Sequence, residues 1–525
     1  MNKNRRPSQI ESPQNRPQTG WYLFLLAGYV FLAAGYIGAR FLWNWTSTDD
    51  ARLTAAAESI RAEGVLLSSE AYPFGYGYPV FNVFLSYLTG LSIRTLQVYV
   101  QPFLVVLLVP LAFVVYRSLT GRPKTAMLAS FMLFLQPEFL FESVRSSHAK
   151  LTWAMALGLL YTLTTSFREA GAGRPIGKWV ILSYLFAFGL MTTSAFFASS
   201  YLFAIACSFL GWQLWRRWSL RPEKGAPLTR LLYVTLSCSA LLYIVIYYVY
   251  PPAGEQLSLL RSIVDQVAML LLGVDVATNP YRYIQTAWVS EGVYIALTLF
   301  NWLVLLLSLG SWLLHINRAL KGQETVPPAQ LFLWLLYGGF GLFLAISVIL
   351  DLAGVLSANL QVRVFPHLMM IAIPLAAEAL ERWVHWISRR PLYGPLRFSI
   401  GVAALMMALS LASLLKVTNE PLLSHNWIFY TGSERRAVEW LSRYGGDMEI
   451  WMGVDERLVA LAEANSFWKA RRLKARWGHP TDQTTCFLLS ETMTLRAWRT
   501  GAELPEVFSY NRIYDNHFAA VYCTR

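Results

Sequence analysis

Apolar runs separated by short polar turns dominate the chain as far as residue 416. Their length and period predict eleven membrane helices, over 21–45, 96–116, 125–141, 150–166, 178–194, 196–215, 230–250, 292–316, 331–350, 364–384 and 398–416. Pro79–Leu91 is apolar but short for a span, and reads as an interfacial or re-entrant helix with Pro79 near its first turn. Two long segments, 46–95 and 251–291, then lie on one side of the membrane. Past Lys416 the pattern changes. SERRAVEWLSRYGGD reads as a helix, with Ser433 as N-cap and Gly445 as C-cap. MEIWMGV reads as a strand, DERLVALAEAN as a helix and TTCFLLS as a strand. VFSYNRIY and FAAVYC read as two more strands, turning at Asp515–His517. The expected fold is an α-helical polytopic membrane protein with a small C-terminal α/β unit. Residues 1–20 form a polar tail, 21–416 the transmembrane part and 417–525 the α/β unit.

Composition supports the membrane assignment. Of 525 residues, 55% are hydrophobic and only 14% charged, too apolar for a soluble core. No cleavable signal peptide is apparent, because the N-terminal tail is polar, basic and Pro-rich. The net charge of +13 would suit nucleic acid, but its placement does not. From Thr418 onward 13 Lys and Arg balance 13 Asp and Glu. The excess sits in short loops, 21 Lys and Arg on the N-terminal side of the membrane against 8 on the other. That asymmetry puts the N-terminus in the cytoplasm and the C-terminal unit outside. Cys207 and Cys238 fall in apolar helices as small core residues. Cys486 and Cys523 fall in strands of the outer unit, where a disulfide is expected.

Ionisable residues collect at helix ends. Asp49 and Asp50 follow the first helix. They suit the first turn of a helix capped by Thr48, and they equally suit a general base for a hydroxyl acceptor. Glu142, Arg145, His148 and Lys150 form a second cluster. It is either a solvated hinge or a site in which Glu142 or His148 moves protons or binds a divalent ion while Arg145 and Lys150 hold a phosphate. Glu138 lies deeper, where an ionisable group is functional by default. Arg282 and Arg363 are further phosphate candidates, with snorkelling the plain alternative for Arg363. Tyr72, Phe74, Tyr76 and Tyr78 alternate along the first outer loop, as belt residues or as sugar-stacking rings. Arg471, Arg472, Lys474 and Arg476 read as a solvated face. Walker, G-x-G-x-x-G, G-x-S-x-G and H-E-x-x-H patterns are missing from the sequence, which leaves nucleotide use, zinc proteolysis and serine hydrolysis without support.

The pattern D-D-x6-A-x-x-I-x-x-x-G after a first membrane helix, followed by an aromatic Y-P helix, resembles the first outer loop of GT-C membrane glycosyltransferases. The basic turn RSLTGRPK, the helix ending at Pro137 and the stretch FESVRSSHAKLTW extend the likeness. Gly77, Tyr78, Pro79, Val80 and Phe81 are similar to a GYPxF element of the GT-C-like bacterial membrane family labelled 6-pyruvoyl-tetrahydropterin-synthase-related. The C-terminal WL helix and the Tyr514-Asp515-Asn516 turn also resemble members of it. The likeness covers about 1–200 and 360–525. It implies transfer of a sugar, of hexosyltransferase type, from a polyprenyl-phosphate donor to a hydroxyl acceptor on a glycan, lipid or protein. It places this at the outer face of the plasma membrane, a bacterial inner membrane. Asp49 matches the family's catalytic Asp and Asp50 its acidic neighbour. Beside this resemblance, the residues themselves offer Glu142 as a secondary carboxylate and Arg145, Lys150, Arg282 and Arg363 as phosphate candidates. Tyr76, Tyr78 and His148 are sugar or acceptor contacts, and a divalent metal is an open cofactor. One departure is Tyr78, where many relatives carry a Lys or a second Pro. The competing readings are a transporter or lipid flippase, which needs mid-span charges, and a non-catalytic scaffold, which tolerates loss of Asp49.

Overall fold

The computed structural model describes residues 16–41, 43–45, 48–68, 71–218, 226–254, 291–323, 326–352, 360–388, 395–419, 430–446, 448–453, 457–466, 473–500 and 502–524. Helices dominate up to residue 419. They are α1 (Arg16–Arg40), α2 (Thr48–Glu63), α3 (Gly77–Thr89), α4 (Ile93–Thr120), α5 (Pro123–Phe134), α6 (Pro137–Val144) and α7 (Ala149–Gly171). Then come α8 (Gly177–Thr193), α9 (Ala195–Trp218), α10 (Ala226–Val249), α11 (Glu291–Leu320), α12 (Pro328–Leu352), α13 (Leu360–Ser388) and α14 (Pro395–Asn419). Each expected span corresponds to a helix, but not each passes as a span. Among the described residues seven helices are long and apolar enough to cross a membrane, or eight if α5 and α6 form one bent span. That membrane content makes the chain an integral membrane protein. α7 falls short because Thr162, Thr164, Thr165 and Ser166 interrupt it; all four are buried between helices, where small polar side chains allow close packing. α8 has only 17 residues.

Two prolines shape the part that matters for function. Gln136 is extended before Pro137, as sterics before a proline favour, and α5 and α6 diverge there by 73°. In α4 the turn Leu96–Val100 is π-helical, just upstream of Pro102. Proline cannot donate to Val98 and its ring crowds that carbonyl, so the helix widens there. α3 has 13 residues, about 20 Å at 1.5 Å per residue, which is short of a bilayer core.

The C-terminal unit is built on a five-stranded sheet ordered β2-β1-β3-β5-β4. Its strands are β1 (Glu449–Trp451), β2 (Lys474–Arg476), β3 (Cys486–Ser490), β4 (Asn511–Asp515) and β5 (Ala519–Cys523). β1 is parallel to β2 and β3, whereas β5 is antiparallel to β3 and β4. Helices α15 (Gly432–Tyr444), α16 (Arg457–Ser466) and α17 (Glu491–Thr500) complete it. Cys486 lies opposite Cys523 in the β3–β5 register, and the two form the expected disulfide, with Cα atoms 4.1 Å apart. The expected turn at Asp515–His517 joins β4 to β5. The N-cap of α15 is Thr431 rather than Ser433. Thr431 and Glu434 form a reciprocal capping box, which satisfies two backbone donors that a cap at Ser433 would leave open. Strand β2 and helix α17 had no expectation from the sequence pattern.

Helix α2 joins the two parts. Ala51 and Ala55 lie in the core of the C-terminal unit with Tyr430, Val438, Leu441, Trp451 and Leu461. Leu53 and Ala56 pack with Tyr72 and Tyr78, and Ala57 and Ile60 with Val83 and Ile93. Alanine on several faces lets neighbours approach from all sides. The Arg52–Glu463 pair, 3.8 Å apart and one-third exposed at both ends, adds little beside that apolar contact.

Candidate active site

The first turn of α2 and the α6–α7 corner meet. Asp49 is about one-third exposed, and its Oδ2 lies 3.7 Å from a terminal guanidinium nitrogen of Arg145. The same nitrogen lies 2.6 Å from Glu142 Oε2. Arg145 ends α6 in an extended conformation, which turns its side chain back toward Glu142, one helical turn earlier. Its Nε donates to Ser147 Oγ at 3.1 Å. The other terminal nitrogen is buried and has no hydrogen-bond partner among the described residues. Asp50 is fully buried. Carboxylates in a helix's first turn also favour the helix dipole, so the plain and the functional readings of Asp49 and Asp50 coexist.

The second cluster is no solvated hinge. Arg145 and Lys150 are only 5% and 4% exposed. Lys150 Nζ donates to the carbonyls of Arg145 at 2.6 Å and Ser147 at 3.4 Å. It thereby closes the corner, while its charge acts on Asp50 and Glu142. It also lies 5.8 Å from the centre of the Tyr78 ring. A cation thus stands beside the Tyr78 ring, supplied by α7. Glu138 is paired rather than free: Lys416 Nζ of α14 donates to it at 2.5 Å.

Beneath the acidic pair runs a buried polar network. Thr54 Oγ1 donates to Gln97 Oε1 at 2.5 Å, and Ser146 Oγ to the Gln97 carbonyl at 2.9 Å. Tyr78 is fully buried, and its hydroxyl lies 2.5 Å from Gln101 Oε1 and 3.0 Å from the Ser146 carbonyl. Gln101 Nε2 donates to Asn82 Oδ1 at 2.6 Å. The π-turn of α4 matters here, since it carries Gln97 into this network. Tyr78 is therefore a support of the Arg145–His148 corner rather than a ring facing a ligand.

The aromatic loop lies against α8. Gly75 has φ +146°, and a Cβ there would come 2.3 Å from the Thr192 carbonyl oxygen. Gly77 is nearly as close to Thr192 and Thr193. Phe74 accepts a backbone bond from Ala195 at 2.9 Å. Tyr72 is buried, its ring 6.0 Å from His148. Burial holds the His148 imidazole down at about 4, with Asp49 opposing and the cations of Arg145, Lys150 and Arg363 reinforcing the shift. The ring is neutral at physiological pH, and its Nδ1 has no partner among the described residues. Arg363 is exposed, but its charge reaches both Tyr72 and His148. Asp49, Asp50, Glu142, Arg145, His148, Lys150 and Arg363 thus share one neighbourhood. Arg282 lies outside the described residues.

Among the described residues no group of three or more His, Cys, Asp or Glu could hold a metal ion, and the charge between Asp49 and Glu142 is that of Arg145. The sequence reading missed Thr54, Asn82, Gln97, Gln101 and Ser146. Gln97 and Gln101, four residues apart within an apolar helix, carried a usable signal, because polar groups at membrane depth require partners.

No family model matches the chain, and no curated protein sequence matches it. Solved structures are similar in fold. The Archaeoglobus fulgidus oligosaccharyltransferase AglB, in complex with an inhibitory peptide and a dolichol-phosphate, superposes with a TM-score of 0.53 at 11% identity, over 98% of this chain and 75% of that one. An Archaeoglobus fulgidus oligosaccharyltransferase in the apo form gives 0.54 at 10% identity, over 98% and 75%. ArnT from Cupriavidus metallidurans, bound to undecaprenyl phosphate, gives 0.50 at 12% identity, over 97% and 98%. The chain has the architecture of these membrane proteins, the GT-C-like fold expected from its first outer loop.

Proposed function

With the GT-C fold as premise, we propose that the chain transfers a sugar from a polyprenyl-phosphate donor to a hydroxyl acceptor at the outer face of the membrane. One observation carries the reading. Arg145 keeps a buried guanidinium nitrogen without a partner among the described residues, on the same side chain that faces Asp49. Buried donors are normally paired, and a phosphate oxygen would pair this one. The lipid phosphates bound by structures of the same fold support the donor class.

In this reading Asp49, the more accessible carboxylate, accepts the acceptor's hydroxyl proton. The acceptor oxygen bonds to the sugar's anomeric carbon while the bond to phosphate breaks, and the phosphate leaves with the electron pair. Arg145 and Arg363 offset the developing charge. Glu142 holds Arg145 in place, and Asp50 supplies field from within. The charge asymmetry of the loops supports an outward-facing site, and reporter fusions at Gly225 and Thr431 should report opposite compartments.

Asp49→Asn keeps shape and removes the base. Membranes containing this variant should hold a folded protein with transfer from labelled polyprenyl-phosphate sugars reduced about 100-fold or more. Activity retained in both Asp49→Asn and Asp50→Asn would reject a carboxylate base here.

A further inference from the structure

Helix α15 of the C-terminal unit lies at the level of the membrane surface. The core that holds its Ala437, Val438 and Leu441 also takes in Trp45 and Val98. Val98 sits in the second turn of α4, a helix long and apolar enough to cross the membrane. The C-terminal unit is therefore packed against the very end of a membrane helix. Trp43 marks the same level. It packs on that core and stacks on Tyr99 of α4, 5.6 Å away, whose side chain is 54% exposed. An exposed tyrosine at the end of a membrane helix is an interface residue.

The charges agree with this placement. Arg94, in the first turn of α4, donates to Asn44 Oδ1 at 3.1 Å and lies 5.4 Å from the centre of the Trp45 ring. The charges of Arg435 and Glu439 on α15 both reach it. These two, four residues apart, share the side of α15 that looks toward α4, and they pair with each other at 3.5 Å. Arg436, Trp440, Arg443 and Tyr444 occupy the adjoining face. Arg436 and Arg443 are exposed and make no ion pair among the described residues. Tyr444 is 64% exposed. Its ring lies 5.3 Å from that of Trp440, which lies 5.1 Å from the ring of Tyr514 on β4. This face of α15 carries cations and rings but no carboxylate, and it flanks the point where α4 enters the bilayer. A basic, aromatic face on an otherwise core-packed helix is the pattern of a helix resting on an anionic membrane surface.

We propose that this face of α15 docks on the anionic headgroups of the adjacent leaflet. Arg436 and Arg443 meet lipid phosphates, while Trp440 and Tyr444 lie at the headgroup level. Ala51 and Ala55 of α2 share the core of α15, so docking also steadies the helix that carries Asp49. The docking holds whether or not the acidic corner transfers sugar.

The full chain carries one environment-sensitive fluorophore at position 444 (Tyr444→Cys, with Cys207→Ala and Cys238→Ala). It is placed in nanodiscs of phosphatidylcholine, or of equal parts phosphatidylcholine and phosphatidylglycerol. Lipids brominated on the acyl chain quench the fluorophore where it meets the bilayer. Quenching is expected in the anionic discs, and it should fall with added salt, which screens the phosphates. Arg436→Gln together with Arg443→Gln should lower the ratio of docked to undocked label about 25-fold, fivefold for each arginine. Both positions are exposed, so the melting point of this variant should match that of the unaltered chain. No quenching in either disc, or quenching equal in the two discs and unchanged by the double substitution, overturns the docking. A label shielded from aqueous iodide yet out of reach of brominated lipid would place a protein or glycan partner there, and would also overturn it.

Discussion

Tyr78→Phe separates support from contact. The ring stays, still under Lys150 at 5.8 Å, and only the hydroxyl goes. That hydroxyl is fully buried and lies within hydrogen-bond reach of Gln101 Oε1 and the Ser146 carbonyl. Gln101 cannot turn to compensate, because its Nε2 is committed to Asn82. The hydroxyl has one proton shared between these two acceptors, so removing it leaves about one buried acceptor short, at about 1–3 kcal/mol. For a transmembrane part of about 400 residues, that corresponds to roughly 1–4 °C in melting. Tryptophan fluorescence of the full chain in detergent reads the transition. Transfer should fall as well, mainly in kcat, since Ser146 lies in the corner that holds Arg145. A melting point moved by less than about 1 °C together with a raised KM would mean that Tyr78 touches the substrate, and the reasoning from burial would be wrong.

Gly75→Ala should prevent stable folding, because a Cβ would meet the Thr192 carbonyl oxygen at 2.3 Å in a left-handed backbone. Gly64→Ala, also left-handed at φ +72° but open around it, should cost only about 1–2 kcal/mol; equal melting points for the two would refute the close approach. Burial alone would raise the Glu434 carboxyl, but the charge of Arg457, with Arg457, Ser490 and Thr431 hydrogen bonds, brings it below its usual value. The stability it contributes is therefore present above the unfolded carboxyl range and lost as pH falls through the depressed folded value. Acid titration of melting should show this loss, and Glu434→Gln should flatten that part of the curve. Cutting the Cys486–Cys523 bridge, which closes a loop of 37 residues, should cost about 4 kcal/mol. Equal denaturant midpoints for the C-terminal unit with and without reductant would contradict that.

The sequence pattern locates the helices well, because long apolar windows depend on few alternatives. Pro137 marks the end of α5, yet a period cannot show the 73° turn that brings Glu142 and Arg145 toward Asp49. The charged ends were legible singly, whereas their convergence depends on packing. Gln97 and Gln101 are averaged away within an apolar window, and the π-turn that aims Gln97 has no hydrophobic signature. Tyr78 shows the same limit from the other side. Alternation along 72–78 suggested a row of like residues, but burial gives each ring a different task. In the C-terminal unit the strand cysteines point to the bridge, whereas Thr431 and Ser433 both suit a cap by residue type and only the backbone separates them.

Helix α2 belongs to two cores at once. Ala51 and Ala55 are completed by residues from Tyr430 onward, which the ribosome makes long after α2 itself. During synthesis the acidic pair therefore waits on a half-built surface until the C-terminal sheet closes over it. A chain stopped before that sheet can insert its membrane helices, but it cannot assemble the ground on which Asp49 stands.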